Sequence, residues 1–267
     1  MTTHKESFET LLLEKDSEAK IWTLTINRPE SLNALNEKVL TELELFLKNL
    51  HQEKESRPRC LILTGSGEKA FVAGADIVAM SKMNPKEAEE FGRLGQKVTL
   101  MMEKINIPLI AALNGHALGG GLELAMSADL IYATNSALLG LPEVTLGLIP
   151  GFGGTQRLER LVGRQQAKEL IYSAKKIKGP EAKRIGLVLE LFDTQKELRD
   201  HCFQMAKTIA QNSPLGVGTA KKVMFKGNDC PIAEGLNIEL EQFAALFSSK
   251  EKVEGMTAFI EKRKPQF

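Results

Sequence analysis

Pro108-Leu109-Ile110-Ala111-Ala112-Leu113 is a short apolar run that reads as a buried strand. Gly119-Gly120-Gly121-Leu122-Glu123-Leu124-Ala125-Met126-Ser127 reads as a helix, and Leu130-Ile131-Tyr132-Ala133 as a further strand. A strand, a helix and a strand in such close succession point to an α/β protein rather than an all-α or all-β one.

The charge around this stretch is as informative as its periodicity. From Ile105 to Gln156 there are 52 residues, and only Glu123, Asp129 and Glu143 are charged. At ordinary usage about 13 charges would fall there. The segment is no membrane span, because Ile105–Leu122 contains Asn106, Pro108, Asn114, His116 and four glycines. It is therefore expected to form the buried heart of a soluble protein, with isolated carboxylates in it. A desolvated carboxylate has a raised pKa, which suits general acid–base chemistry. The alternative is that each acid caps a helix or meets an Arg from elsewhere.

The same grammar extends outward. Ile21–Ile26 alternates as a strand and Asn27-Arg28-Pro29-Glu30 breaks it; Asn36–Lys54 has helical spacing; Arg59–Thr64 is a strand ended by Gly65-Ser66-Gly67. Asn84-Pro85-Lys86-Glu87 is a helix start, with Phe91, Leu94, Val98 and Met102 on the apolar face that follows. Leu187–Leu191 is the last expected strand. Beyond it, Leu198–Gln211 is one helix, Ser213-Pro214 opens another, and Ser248-Ser249-Lys250-Glu251 reads as a capping box for the last. The expected organisation is an α/β core over residues 1–195 and a helical C-terminal part over 196–267.

Composition limits the partners. The chain has 267 residues, 35 Lys plus Arg against 34 Asp plus Glu, and a net charge of +1. That balance gives no electrostatic case for nucleic acid or an anionic membrane. Cys60, Cys202 and Cys230 are too few and too scattered for a disulfide framework, which suggests a reducing compartment, and no CxxC or HxxxH pair suggests zinc. Met1–Lys5 leads into no signal-like apolar run, so the expected location is cytoplasmic.

Three glycine clusters carry different weight. Gly65-Ser66-Gly67-Glu68-Lys69-Ala70 fits GxGxxA, but Phe71-Val72-Ala73-Gly74 follows where a dinucleotide site needs a helix. Gly151-Phe152-Gly153-Gly154 has no Lys-Ser or Lys-Thr behind it and reads as a turn entering a helix. Gly119-Gly120-Gly121 admits two readings. Either it brings backbone close to a ligand, so that Gly120 N–H faces a negative oxygen near Glu123, or it packs a helix tightly on a strand.

Three segments together, Phe71–Ile77, Asn114–Ala125 and Leu141–Leu158, resemble the crotonase, or enoyl-CoA hydratase, superfamily. The resemblance runs through nearly the whole chain. It implies a crotonase-like right-handed spiral of ββα units with a helical C-terminal trimerisation region. It also implies an acyl-CoA thioester substrate, no cofactor beyond the CoA that the substrate carries, and a place in fatty acid β-oxidation. The matching positions make Ala75 and Gly120 the oxyanion-hole donors and Glu123 and Glu143 the catalytic pair around one water. Glu123 resembles the base and Glu143 the group that delivers a proton to C2, whereas Asp129 has no such role and is assigned to structure. Ala73, Ala75, Asp76, Ile77 and Lys262 match CoA-contacting positions, with Lys262 reaching from a neighbouring subunit or else complementing a helix C-terminus. Val78 stands where many members carry a Lys, and His116 where relatives often carry an aromatic residue. A homo-oligomer, trimer or dimer of trimers, follows from the resemblance. Because both glutamates are present, a 2-enoyl-CoA hydratase is expected ahead of a 3-methylglutaconyl-type hydratase, an enoyl-CoA isomerase, or a silent acyl-CoA binder.

Overall fold

The computed structural model describes residues 3–52 and 57–267, so Glu53 and Lys54, at the end of the helix expected over 36–54, lie outside the described residues. In chain order the strands are β1 (Thr3–Ser7), β2 (Leu11–Asp16), β3 (Ile21–Ile26), β4 (Cys60–Gly65), β5 (Ala70–Val72), β6 (Leu109–Leu113), β7 (His116–Leu118), β8 (Leu130–Thr134), β9 (Leu138–Gly140), β10 (Ile177–Lys178) and β11 (Glu190–Phe192). The helices are α1 (Glu37–Gln52), α2 (Ile77–Met80), α3 (Pro85–Lys104), α4 (Gly120–Ala125), α5 (Gly154–Val162), α6 (Arg164–Ser173), α7 (Gly179–Arg184), α8 (Gln195–Ala210), α9 (Pro214–Gly227), α10 (Ile232–Leu246) and α11 (Lys250–Ile260).

Every residue of β4 and β6 is buried, as expected of strands covered on both faces. They lie inside a seven-stranded sheet of order β1-β2-β3-β4-β6-β8-β11, parallel from β3 to β11 after an antiparallel β1–β2–β3 edge. A second sheet has the order β10-β9-β7-β5. Successive strands alternate between the sheets: β4 then β5, β6 then β7, β8 then β9, each pair followed by a helix. This is the ββα repetition expected from the resemblance.

Alternation along the central strands divides the core in two. Leu61, Leu63 and Leu113 join α1 and α3 residues such as Val39, Leu43 and Val98 between the layers. Cys60, Ile62, Ile110 and Ala112 face Leu198, Cys202 and Ala206 of α8. The α8 helix thus covers the outer face of the large sheet, while α10 and α11 carry exposed large apolar side chains, Phe243, Phe259 and Ile260 among them. All three cysteines are free, and burial pushes the Cys60 and Cys202 thiols up to about 12, which marks them as packing groups.

The helix start at Asn84 is a full capping box, with Asn84 accepting from Lys86 and Glu87 N–H. At the last helix the expected box is not formed. Ser249 alone caps α11, by accepting from Lys252 N–H, and Glu251 instead takes the Ser213 hydroxyl and, at 3.0 Å, the Leu215 N–H at the start of α9. The last strand is β11, shifted from the expected Leu187–Leu191: Leu187 and Val188 are buried core residues in a connection. The loop at Gly65–Ala70 is held by amides, Asn33 Nδ2 donating to Ser66 O and Ala70 O and Asn114 Nδ2 to Gly67 O, and then enters β5. No dinucleotide-type helix follows it.

Candidate active site

The parallel strands of the small sheet end on one edge, and the site is built there. Gly119 follows β7 with φ +49°, a left-handed value that glycine adopts without penalty, and its N–H donates to Gly140 O at 2.9 Å. Next comes α4. A Cβ on Gly121 would run into the Val72 carbonyl, so the helix lies directly on β5; this is the close packing foreseen as one reading of the cluster. Gly120 is the first residue of α4, so its N–H has no intrahelical acceptor, and Glu123 N–H is the first to bond back, to Gly119 O at 3.0 Å. The packing reading thus holds at Gly121, while Gly120 leaves an N–H without an intrahelical acceptor, as the ligand reading requires.

Ala75 reaches the same place by another route. Leu35 N–H donates to Gly74 O and Leu35 O accepts from Asp76 N–H, each at 2.8 Å. In such a parallel bridge the residue between the two bonded peptides turns its own N–H and C=O away from the partner. Ala75 N–H therefore faces away from Leu35, and both Ala75 and Gly120 line one cavity of about 440 Å³.

Glu123, one turn into α4, is 1% exposed. Its Oε1 accepts from Phe152 N–H at 2.8 Å and Gly154 N–H at 2.6 Å. These donors belong to the Gly151-Phe152-Gly153-Gly154 turn, where Gly153 (φ +109°) caps α5. Burial raises the Glu123 pKa, opposed by these N–H bonds and by the charge of Arg157. Arg157 is fixed by a two-point pair with Glu103 (2.8 and 2.7 Å) and by donating to Phe152 O at 2.8 Å. The Phe152 ring packs edge-on against Phe91, with centroids 5.3 Å apart. The turn itself was visible in the sequence, but its role was not, because its N–H groups hold a carboxylate 29 to 31 residues earlier.

Glu143 opens a one-turn 3₁₀ helix just after β9. Burial pushes its carboxyl up to about 7, and the Glu123 charge adds to the rise. Its Oε2 is buried with no hydrogen-bond partner among the described residues. Its Oε1 is close to Gly119, where an added Cβ would stand 3.0 Å from it.

The cavity brings together Ala73, Ala75, Ile77, Gly120, Glu123 and Glu143. Asp76 is not among its lining residues: its carboxylate accepts from Ala79 N–H, capping α2, and pairs with Arg28 at 3.4 Å. Lys262 is exposed beyond α11, outside the cavity of its own chain. Asp129 binds Lys221 and Leu109 N–H, both at 2.7 Å, which is a structural role. His116 lies on β7 outside the cavity wall, and Val78 is 72% exposed on α2. Sequence reasoning did not single out Phe91, Leu148, Ile149 or Lys176 as cavity residues.

A ββα frame whose small-sheet edge gathers two carboxylates and a helix-start glycine around an apolar cavity is that of the crotonase fold. Solved structures agree: an enoyl-CoA hydratase from Bacillus anthracis superposes with a TM-score of 0.90 at 37% identity, covering 100% of this chain and 99% of that one. One from Geobacillus kaustophilus gives 0.94 at 29% identity, covering 100% and 99%. The enoyl-CoA hydratase/isomerase family model matches residues 16–267, and the chain is 48% identical to a short-chain-enoyl-CoA hydratase of Clostridium acetobutylicum, with 95% of each covered. It is 45% identical to a crotonyl-CoA hydratase of Syntrophomonas wolfei, with 98% of each covered. The chain belongs to the enoyl-CoA hydratase/isomerase family.

Proposed function

We propose that the protein is a 2-enoyl-CoA hydratase acting on short acyl chains, adding water across C2=C3 to give the 3-hydroxyacyl-CoA. The observation that carries this reading is the pairing of two carboxylates, Glu123 and Glu143, in one cavity with Gly120 and Ala75. Attack at C3 moves negative charge onto the thioester oxygen. The N–H groups of Ala75 and Gly120 stabilise that charge, and each such donor is worth about 10²–10³ in rate. Glu123 takes a proton from the attacking water and Glu143 delivers one to C2, so the two carboxyl groups change protonation state in opposite senses and the pair as a whole is neutral in protons. Positioned proton transfer contributes roughly 10²–10⁴.

The assignment extends to the assembly. The exposed Phe243, Phe259 and Ile260 of the C-terminal helices support a trimer or dimer of trimers. In such an assembly Lys262 reaches the CoA end of a neighbour's site, alongside Ala73, Ala75, Asp76 and Ile77 of that site. A cytoplasmic location, a step in fatty acid β-oxidation and the absence of any cofactor apart from the substrate's CoA complete the reading. The test is turnover of crotonyl-CoA, followed by loss of the conjugated thioester absorbance. A folded protein that leaves the absorbance unchanged overturns the assignment.

A further inference from the structure

We infer that Lys176 adapts the cavity to a 2-enoyl-CoA whose acyl chain carries a carboxylate at its far end. The inference deepens the hydratase reading and rests on it for the direction in which the acyl chain lies.

The argument starts from sheet topology. In the small sheet β5, β7 and β9 are parallel, and β10 is antiparallel to β9 with Ile177 opposite Leu139 and Lys178 opposite Leu138. The residue before β10 therefore lies at the same edge as the residues after the other three strands. That residue is Lys176, opposite Gly140: a Cβ on Gly140 would stand 3.3 Å from Lys176 Cα. Along the edge run Ala75 after β5, Gly119-Gly120 after β7, Glu143 after β9 and Lys176 beside β10.

This order gives the acyl chain a direction. The thioester oxygen belongs between Ala75 and Gly120, at the β5–β7 end. The proton chemistry at C2 and C3 belongs by Glu143, one strand further. Carbons beyond C3 continue the same way, toward β10, where two strand spacings of about 4.8 Å separate Lys176 from the glycine turn. The CoA half lies at the opposite end, by Ala73 and Ile77, so a charge met by Lys176 is carried by the acyl group.

The chemistry of the wall agrees. Among the described residues lining this cavity Lys176 is the single cation, and it faces an otherwise mostly apolar surface that includes Leu146, Leu148 and Ile149. It is not consumed by Glu143, whose Oε2 has no hydrogen-bond partner among the described residues. Glu123 alone, as a carboxylate, would repel an anionic acyl chain. An ammonium at the rim reverses that sign where the chain ends, on a flexible stem that can follow the substrate.

The experiment measures binding and turnover in wild type, Lys176→Met and Lys176→Arg, with melting temperature as the folding control. Calorimetry compares glutaryl-CoA, which has a terminal carboxylate, with butyryl-CoA, which has none. Kinetics compares glutaconyl-CoA with crotonyl-CoA. Lys176→Met is expected to weaken glutaryl-CoA binding and lower kcat/KM for glutaconyl-CoA about tenfold, leaving the neutral thioesters within about twofold, while Lys176→Arg keeps the preference. Equal losses on both acyl types would place Lys176 on the CoA half and overturn the inference, as would no change on either. Failure to hydrate any thioester, with Lys176-dependent glutaryl-CoA binding intact, would sink the hydratase reading and leave this one standing.

Discussion

Replacing Glu123 in two ways separates its chemistry from its place in the fold. Oε1 is the shared acceptor for Phe152 N–H and Gly154 N–H. Glutamine offers a carbonyl oxygen at the same place, so Glu123→Gln keeps both bonds and stability is expected to change by less than about 1 kcal/mol. It cannot accept the proton of water, so turnover of crotonyl-CoA is expected to fall by roughly 10²–10⁴, or about 3–5 kcal/mol in the barrier. Alanine removes the acceptor and leaves two buried donors unpaired, at about 1–3 kcal/mol each. The sum, about 2–6 kcal/mol, is a large part of an ordinary folding free energy and corresponds to a fall in Tm of roughly 5–20 °C. Melting scans and initial rates on both variants read the two effects separately. A Glu123→Gln protein that melts as early as Glu123→Ala would refute the hydrogen-bond accounting. One that hydrates crotonyl-CoA at the wild-type rate would refute the proton role.

Four further outcomes are expected. Glu143→Gln should lower the rate by roughly 10²–10⁴, and the double variant with Glu123→Gln should lose much less than the product of the singles, because the pair acts as a unit; full multiplicativity in the rates would rule out a shared water. Because the Glu143 carboxyl is raised from 4.5 to about 7, the folded protein binds its proton more tightly than the unfolded chain, so this residue's contribution to stability is present at low pH and is lost as pH rises between those values. Chemical denaturation across that window should show the slope in wild type and a shallower one in Glu143→Gln. Gly120→Pro, which deletes the N–H at the head of α4, should nearly abolish turnover in a protein whose circular dichroism is unchanged, and a folded variant with normal rate would remove Gly120 from the oxyanion site. Light scattering should find a trimer or its dimer at micromolar concentration; monomer alone would contradict the assembly.

The inner strands of the large sheet, β3, β4, β6 and β8, were legible because they are long enough, and buried enough, to write themselves into the sequence, whereas β1 and β2 went unread and β11, with three residues, was displaced. Both faces of β4 and β6 are covered, so they appear as apolar runs, and β3 shows alternation. The small sheet was not legible, since β5, β7, β9 and β10 have only two or three residues and no period can be read from so few. Yet this sheet carries the site. Glu123 and Glu143 could be found because a charge stands out in a charge-poor stretch. Ala75 N–H could not, since an alanine in Phe71–Ile77 has no signature of its own; only the resemblance singled it out, and the Leu35 bridge supplies the physical reason for its orientation. Lys176 was hidden for the opposite reason. It sits beside Lys175 in a charged stretch, and its position at the cavity depends on β10 running antiparallel to β9.

The environments of the two glutamates differ in a way that bears on their division of labour. Both are desolvated, which favours the neutral acid. At Glu123 that tendency is opposed by N–H donors from the Phe152–Gly154 turn and by the positive charge of Arg157, itself held in place by Glu103. These interactions stabilise a carboxylate, the form a base needs. Glu143 has an unpartnered Oε2 among the described residues and a neighbouring negative charge, and both conditions favour holding a proton, the form an acid needs. Protonating Glu143 also relieves its repulsion with Glu123, so each state supports the other. The difference supports the proposed division, with the base at the residue tied to the start of α5 and the acid at the residue on the single turn after β9. It does so through the hydrogen bonds each one receives, since both carboxylates share the cost of burial.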